Sequence, residues 1–178
     1  MLSELEGLTL GLLSKHGPCT AYSIRQMLKE APSSHWRASA GSIYPLLARL
    51  EKDRLIEGED DPADGRARKV LKLSVAGRKK LKSWIKHGSD ADLIAQLFDP
   101  VRNRIFFMEV LGKQEQLRLA QEILCGMEEH LHFAHQNLKD RDRDADMFDY
   151  LGATGAVLAC EARIKFMKQV VKELERQS

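Results

Sequence analysis

A short apolar helix pattern followed directly by a hairpin pattern is the feature that most constrains this chain. The apolar positions recur at i, i+3, i+4 and i+7, namely at Ile43, Leu46, Leu47 and Leu50, which places them on one face of a helix. Strand-like runs follow at residues 55–57 and 66–73, and the segment between them ends in Asp64-Gly65. An Asp-Gly pair between two such runs indicates a β-hairpin. The pattern therefore predicts a winged helix-turn-helix.

The start of this predicted recognition helix contains a proline. Pro45 lies too far in to be the first helical residue if the helix begins at Ser39. A proline inside a helix removes a hydrogen bond and clashes with the preceding turn. We therefore expect Ser42 to cap the regular helix, with an irregular or slightly bent first turn before it.

The outer face of the same helix has the properties that a DNA major groove requires. Winged helices place the second helix of the motif in that groove and lay the wing along the DNA backbone. Residues 39–42 are small, so the backbone can approach a phosphate at the helix N-terminus. We expect bases or nearby phosphates to be contacted by Ser39, Ser42, Tyr44 and Arg49, and the backbone by Arg66, Arg68 and Lys69. The alternative is a solvated amphipathic helix beside an ordinary charged hairpin.

Charge is distributed unevenly along the 178 residues, whose net charge is only +2. Residues 1–88 contain 16 Lys and Arg against 10 Asp and Glu, a net charge of +6, whereas residues 89–178 contain 12 against 16, a net charge of −4. The basic half contains the winged-helix pattern, which favours a polyanionic partner for that half. We predict a DNA-binding domain over residues 1–88 and a second domain over residues 89–178, with the boundary at Gly88-Ser89.

The other elements of the first half agree with a winged helix. Helical periodicity predicts a helix over residues 2–15, and Thr20 is expected to cap a second helix that extends to about Glu30. Ser74 is expected to cap a further helix to about Ile85, whose basic run at residues 78–82 either extends the DNA contacts or is simply solvated. Trp36 is interpreted as a core residue or as a brace of the turn.

Several short motifs resemble the PadR family of bacterial transcriptional regulators. They are Gly17-Pro18-x-x-x-Tyr22, Ser42-Ile43-Tyr44-Pro45-Leu46-Leu47-x-x-Leu50-Glu51, Leu55-Ile56 and Leu73-Ser74-x-x-Gly77. The resemblance covers residues 4–85 and implies a dimeric, ligand-responsive repressor or activator. It also implies that Tyr44 faces DNA and that the basic residues after the Asp-Gly tip form the wing contacts. The chain departs from the family at residues 19–21, where a small glycine before the tyrosine is usual.

The full set of predicted DNA-binding residues combines the residue patterns with this resemblance. It consists of Thr20, Tyr22, His35, Arg37, Ser39, Ser42, Tyr44, Pro45, Arg49, Arg66, Arg68 and Lys69. The expected partner is a double-stranded DNA operator. A protein-interaction adaptor that uses the winged helix without DNA is the alternative.

Two long heptad-like seams dominate the second half. The first runs through residues 117, 120, 124, 127, 131, 134 and 138, and the second through residues 150, 153, 157, 160, 164, 167, 171 and 174. Alternating steps of three and four residues predict coiled-coil packing. The charged segment 139–146 between them allows an antiparallel hairpin. The fold class is therefore mainly α: an N-terminal winged helix-turn-helix followed by a C-terminal antiparallel long-helix dimerisation domain.

A two-helix hairpin does not fully bury such seams, so we predict a homodimer. The predicted interface comprises Leu5, Leu8, Leu12, Leu117, Leu124, Leu131, Leu138, Val157, Ile164, Met167 and Val171. The long C-terminal helices and Arg104-x-Phe106-Phe107 also resemble the longer-tailed branch of the PadR family, which includes virulence activators.

The family resemblance implies a small aromatic or hydrophobic effector, bound between the domains or between the subunits. Candidate lining residues, each also explicable as core, are Trp84, Phe98, Phe106, Phe107 and Tyr150.

The sequence gives little support for metal binding, enzymatic activity or membrane contact. Glu128, His132 and His135 lie on one helical face and are alternatively metal ligands or a polar flank of the seam, and we predict neither a metal nor a cofactor. No phosphate loop or nucleophile elbow is present, so we expect no enzyme. The odd number of cysteines, with no paired spacing, and the absence of long apolar runs predict a cytoplasmic protein without membrane contact.

Overall fold

The structure is a computed structural model and describes residues 2–30, 40–61, 68–89 and 99–177. The chain divides into two compact units, Met1–Gln96 and Leu97–Ser178. The predicted domain boundary at residue 88 stays a prediction, because residues 90–98 lie outside the described ranges. Trp36, expected in the core or as a brace, also lies outside them.

The N-terminal unit has the order of elements of a winged helix. It contains α1 (Glu4–His16), β1 (Cys19–Thr20), α2 (Ala21–Glu30), a 3-10 turn (Ala40–Ser42), α3 (Ile43–Lys52), β2 (Ile56–Asp61), β3 (Arg68–Leu73), α4 (Val75–Lys86) and a 3-10 turn (His87–Ser89). The fold class predicted from the sequence is confirmed.

The wing belongs to a three-stranded antiparallel sheet of order β1-β3-β2. β2 and β3 form the predicted hairpin, with Ile56 opposite Leu73 and Asp61 opposite Arg68. The third strand, β1, pairs Cys19 with Leu71 and was not predicted. Two residues are too few for an alternating pattern, so this strand has no local signal.

One apolar core holds the N-terminal unit together. The stripe of α3 is buried as predicted, and it meets buried residues of α1, α2, the sheet and α4. The fully or nearly fully buried members of this core are Leu10, Leu13, Ile24, Leu28, Ile43, Leu46, Leu47, Leu50, Ile56, Leu71 and Leu81. Because each buried aliphatic side chain contributes roughly 1.5–3 kcal/mol, this core fixes the positions of α2, α3 and the wing.

Polar caps determine where the helices begin. Ser3 and Glu6 form a reciprocal capping box at α1, in which Glu6 Oε2 accepts from the Ser3 amide at 2.7 Å. Ser74 caps α4 as predicted, since its hydroxyl oxygen accepts from the Gly77 amide at 2.9 Å. The Cα of Gly77 lies so close to the Leu55 carbonyl that a side chain at this position would overlap it. A glycine is therefore required where α4 passes Leu55, the residue that precedes β2.

The C-terminal unit is a long antiparallel helix hairpin. It contains α5 (Pro100–Ile105), a 3-10 turn (Met108–Val110), α6 (Lys113–Lys139) and α7 (Met147–Gln177). Every residue of the two predicted seams is buried or half-buried. Met167 is completely buried, and Ala120 and Ala134 of α6 allow close approach of the helices. The seams therefore pack within the hairpin.

The start of α5 follows the sequence, but its end does not. Pro100 occupies the first turn, and Asp99 caps the helix by accepting hydrogen bonds from the amides of Val101 and Arg102. The apolar residues between positions 101 and 111, followed by Gly112, predict a helix from Pro100 to Leu111. That prediction is wrong, since the helix ends at Ile105. Aromatic residues at 106 and 107 are weak helix formers, and the 3-10 turn that follows buries Met108 instead.

The helices of the described residues differ from membrane-spanning helices. None of those within residues 2–30, 40–61, 68–89 and 99–177 is both long and apolar enough to cross a bilayer.

Candidate nucleic-acid interface

Helices α2 and α3 form the two-helix core of the candidate interface. Ile24 and Leu28 of α2 are buried against the apolar stripe of α3. Burial of these faces turns two tyrosines outward. Tyr22 on α2 is 61% exposed and Tyr44 on α3 is 52% exposed. Large aromatic rings left in water beside small polar residues are available for contact with a partner.

The irregular entry to α3 agrees with the sequence. A 3-10 turn precedes the helix, and Ser42 occupies the N-cap position, although its side chain makes no capping hydrogen bond. Pro45 is the third helical residue, so it lies in the first turn, where its missing N–H leaves no helical hydrogen bond unmade. Gly41 and Ser42 are exposed. This helix end presents backbone amides together with small side chains.

Other predicted DNA-binding residues have different placements. The Thr20 hydroxyl accepts from the Ser23 amide at 3.1 Å and lies 3.0 Å from the Ser23 hydroxyl, so it is engaged as the cap of α2. His35, Arg37, Ser39 and Arg66 lie outside the described residues. The backbone of Arg68 pairs with Asp61 in β2.

Arg49 is not an unpaired cation at the interface. Its Nε and Nη2 atoms donate to Glu6 Oε1 at 3.2 and 2.8 Å. Burial would raise the pKa of Glu6, but hydrogen bonds from Ser3 and the guanidinium of Arg49 outweigh it and hold that pKa below its ordinary value. Arg49 therefore joins α3 to α1.

Two wing lysines are also paired. Lys69 Nζ donates to Glu51 Oε2 of α3 at 2.7 Å. Lys72 binds Glu59 and lies 3.6 Å from Glu57 Oε2 on β2. The hydrogen bond with Glu59 is the main reason that the pKa of Lys72 is raised. The carboxylates Glu6 and Glu51 were not among the predicted site residues.

Unpaired cations are found elsewhere in the N-terminal unit. Arg25 and Lys29 lie one turn apart on α2, beside Tyr22, without an ion pair in the described part of the chain. On α4 the same holds for Arg78, Lys79, Lys80, Lys82 and Lys86. The i, i+4 spacing that places Arg25 and Lys29 on one helical face is visible in the sequence, although neither residue was among the predicted DNA contacts.

The predicted dimer residues lie in both units. In the N-terminal unit, Leu5, Leu8 and Leu12 of α1 are half-buried. In the C-terminal hairpin, Val157, Ile164 and Met167 are buried and Val171 is half-buried. The leucines of the α6 seam at 117, 124, 131 and 138 are also half-buried. Their role in a dimer stays a prediction.

The predicted effector residues are not gathered in one place. Trp84 packs on the N-terminal core, and Phe98 lies outside the described residues. Phe106 and Phe107 contact each other edge to face and are 80% and 63% exposed. Tyr150 lines an open cavity of about 580 Å³ at the closed end of the hairpin. The cavity is also lined by His132, His135, Gln136, Leu138, Lys139 and Arg141.

The possible metal ligands Glu128, His132 and His135 do not form a metal site in the described part of the chain. Glu128 pairs with Lys168 at 3.0 Å, and His135 lies 4.0 Å from Glu161. Within residues 2–30, 40–61, 68–89 and 99–177, no three His, Cys, Asp or Glu side chains are grouped closely enough for a metal.

Sequence comparison shows that the N-terminal part of the chain is similar to known transcriptional regulators. Residues 9–83 match the Transcriptional regulator PadR-like family. Over 55 residues the chain is 42% identical to Transcriptional regulator Rv3488 of Mycobacterium tuberculosis. The aligned part is 31% of this chain and 51% of Rv3488, so the chain spans about half the length of this curated relative.

Structural comparison covers almost the whole chain and shows the fold. Bacillus subtilis PadR in complex with operator DNA superposes with a TM-score of 0.81 at 20% identity, over 98% of this chain and 99% of that one. The same Bacillus protein in complex with p-coumaric acid gives 0.70 at 19% identity, with coverages of 98% and 99%. The Vibrio cholerae virulence activator AphA gives 0.65 at 18% identity, with coverages of 98% and 100%.

Proposed function

Since residues 9–83 match the Transcriptional regulator PadR-like family, we propose that the chain is a member of that family and a homodimeric, sequence-specific DNA-binding regulator. The observation that carries the proposal is the outer surface of α2 and α3. It combines the exposed Tyr22 and Tyr44 with the small residues Gly41 and Ser42 at the start of α3. Such a helix end fits a major groove and favours a phosphate at its amides.

The contacts differ in their role. Ser39, Ser42 and Tyr44 read bases or adjacent phosphates, whereas Arg66 and Arg68 bind the DNA backbone. His35 and Arg37, which precede the recognition helix in sequence, and Pro45 in its first turn are also assigned to the DNA contacts. Arg49 stabilises the position of α3 by its hydrogen bonds to Glu6 of α1. The two recognition helices of a dimer would contact half-sites about 34 Å apart.

Unburied apolar surface in the C-terminal unit supports a dimer. The α6 seam leucines are only half-buried, and Phe148, Leu151 and Leu158 of α7 are more than half exposed. A second copy of the chain would cover this surface. We place the regulator in the cytoplasm and assign it no enzymatic activity, in keeping with a family of transcriptional regulators.

An effector is part of the proposal. The Bacillus protein is known in complex with p-coumaric acid, and the cavity beside Tyr150 combines an aromatic ring with the cation of Lys139. That chemistry suits a small aromatic carboxylate. A thermal-shift series with p-coumarate and related acids, run on the wild type and Tyr150→Ala, should show stabilisation of the wild type only. Equal shifts in both proteins would move the effector site elsewhere.

The decisive experiment is binding of the purified chain to promoter fragments across a salt series, with the native mass measured alongside. If each subunit neutralises about four phosphates, log K should fall against log salt with a slope of about −7 for a dimer. Arg68→Ala should weaken binding to all sequences, whereas Tyr44→Ala should also reduce discrimination between sequences.

Matched controls separate these effects from general loss of charge or fold. Lys165→Ala removes one exposed charge from the C-terminal unit and should leave DNA binding unchanged. Tyr44→Phe keeps the ring and removes only the hydroxyl. A dimer that ignores DNA at every salt concentration, with or without aromatic acids, would favour the protein-interaction adaptor instead.

A further inference from the structure

The two faces of the wing have different environments, and Lys69 lies on the inner one. Side chains alternate between the faces of a strand, so Lys69 shares a face with the buried Leu71. In the partner strand Gly58 stands opposite Leu71, and Ile56, two residues earlier, is also buried. Lys72 lies on the other face, directly opposite Glu57. Lys69 therefore starts from the face of the hairpin that is turned toward the core.

Lys69 reaches α3 by crossing the backbone of Gly58. Its Nζ ends 2.7 Å from Glu51 Oε2 and 2.5 Å from Glu51 Oε1. A Cβ at residue 58 would lie 2.8 Å from Glu51 Oε1 and 3.0 Å from Lys69 Cδ, and closer still to Lys69 Cε. The path of the lysine is thus open only because residue 58 has no side chain.

We propose that Glu51, Gly58 and Lys69 form a tie, called the wing tie below, that fixes the outer part of the wing against the recognition helix. Lys69 is then a positioning residue and not a phosphate contact. The inference rests on the proposed function, because it concerns how the wing and α3 are held for the same DNA. Its consequence is that wing and recognition helix are presented to DNA in one fixed geometry.

Simple electrostatics and the wing tie predict opposite effects of Glu51→Gln on the affinity for DNA. If Lys69 binds phosphate, removal of the competing carboxylate frees the lysine, and binding to every DNA tightens. If the pair is a tie, the same substitution loosens the wing, and binding to the operator weakens although a negative charge has been removed. Lys69→Gln separates the two cases as well. Loss of a phosphate contact from both subunits lowers the salt slope by about 1.8, whereas loss of the tie leaves the slope unchanged.

Gly58→Ala tests the geometry without changing any charge. The three atoms nearest to the added methyl belong to the flexible ends of Lys69 and Glu51, so the sheet can remain intact while the ion pair is displaced. Gly88→Ala is the matched control, since nothing lies within 4 Å of the Cβ that it would add. Far-UV circular dichroism checks that all variants fold.

The measurement compares binding of the full-length variants to the best promoter fragment and to a shuffled duplex of equal length. We expect Glu51→Gln, Lys69→Gln and Gly58→Ala each to lower the preference for the promoter fragment by about two- to thirtyfold, the range for residues that act through another element. The double variant Glu51→Gln/Lys69→Gln should be no worse than either single variant. The wing tie would be overturned if Glu51→Gln bound DNA more tightly than the wild type. It would also be overturned if Glu51→Gln and Lys69→Gln changed the affinity in opposite directions and the double variant showed the sum of the two changes.

Hydrogen exchange of the DNA-free chain provides an independent test. Backbone amides of residues 58–61 and 68–70 should exchange faster in the three variants than in the wild type and in Gly88→Ala. Unchanged exchange in all three would refute the wing tie even if DNA binding is confirmed. If the wild type binds no DNA, the proposed function fails, while faster exchange in the variants would still support the tie.

Discussion

The contact between α1 and α4 gives a sharp test of the packing of the N-terminal unit. Trp84 of α4 packs against Gly7 of α1, and a Cβ at residue 7 would be 2.5 Å from Trp84 Cδ2 and 2.7 Å from Cζ2. Gly11, one turn later on the same helix, has nothing within 4 Å of such an atom. The same substitution at the two sites should therefore change stability in opposite directions.

The magnitudes follow from two terms. Alanine is better than glycine in a helix interior by roughly 0.5–1 kcal/mol. At Gly7 this gain is opposed by overpacking, which typically costs about 1–3 kcal/mol, because a wide indole ring cannot yield as the end of a lysine can. We expect Gly7→Ala to destabilise the unit by about 1–2 kcal/mol and Gly11→Ala to stabilise it by about 0.5–1 kcal/mol. One kcal/mol corresponds to about 4–8 °C in Tm for a domain of this size.

Urea unfolding followed by tryptophan fluorescence is the appropriate assay. Both tryptophans of the chain, at positions 36 and 84, belong to the N-terminal unit. A second substitution, Trp84→Phe, should narrow the difference between the Gly7→Ala and Gly11→Ala variants, because the smaller ring leaves room for the methyl. Equal or greater stability of Gly7→Ala compared with Gly11→Ala would show that the reasoning about this contact is wrong.

Two further predictions concern the capping box and the long hairpin. The pKa of Glu6 is held below its ordinary value of about 4.3, so its stabilising contribution is complete above that pH and is lost as the pH falls through the depressed pKa. Glu6→Gln should therefore lower the free energy of unfolding in urea at pH 7, by no more than about 1 kcal/mol because Arg49 is largely exposed, and this difference should shrink as the pH falls through the depressed pKa of Glu6. In the C-terminal unit, Met167→Ala should lower the free energy of unfolding by about 2–5 kcal/mol because this side chain is completely buried. Leu158→Ala, at a position that is 58% exposed, should lower it by well under 1 kcal/mol. Thermal unfolding followed by circular dichroism measures both changes.

Features that depend on local periodicity could be predicted from the sequence. The α3 stripe, the cap at Ser74 and the two seams are all expressed within a few turns of chain, and the structure contains each of them. Features that depend on distant pairing could not. Strand β1 exists only because Cys19 pairs with Leu71, which is 52 positions away.

The candidate site shows the same division. Exposure of Tyr44 follows from the helical spacing of the buried residues around it. The partner of Arg49, however, is 43 positions away at Glu6, and the partner of Lys69 is 18 positions away at Glu51. A sequence shows which residues carry charge, but only the folded chain shows which opposite charges neutralise them.

This neutralisation changes the meaning of the net charge of +6 over residues 1–88. Close to the recognition helix, Arg49, Lys69 and Lys72 each have a carboxylate partner. The cations of α4 at residues 78, 79, 80, 82 and 86 have none in the described part of the chain. An unpaired group of positive charge acts over a distance through its field and raises the rate of encounter with a polyanion, whereas sequence is read at close contact. For the proposed DNA binding, α4 therefore contributes mainly attraction, and α3 with its tied wing contributes the geometry in which a site is recognised.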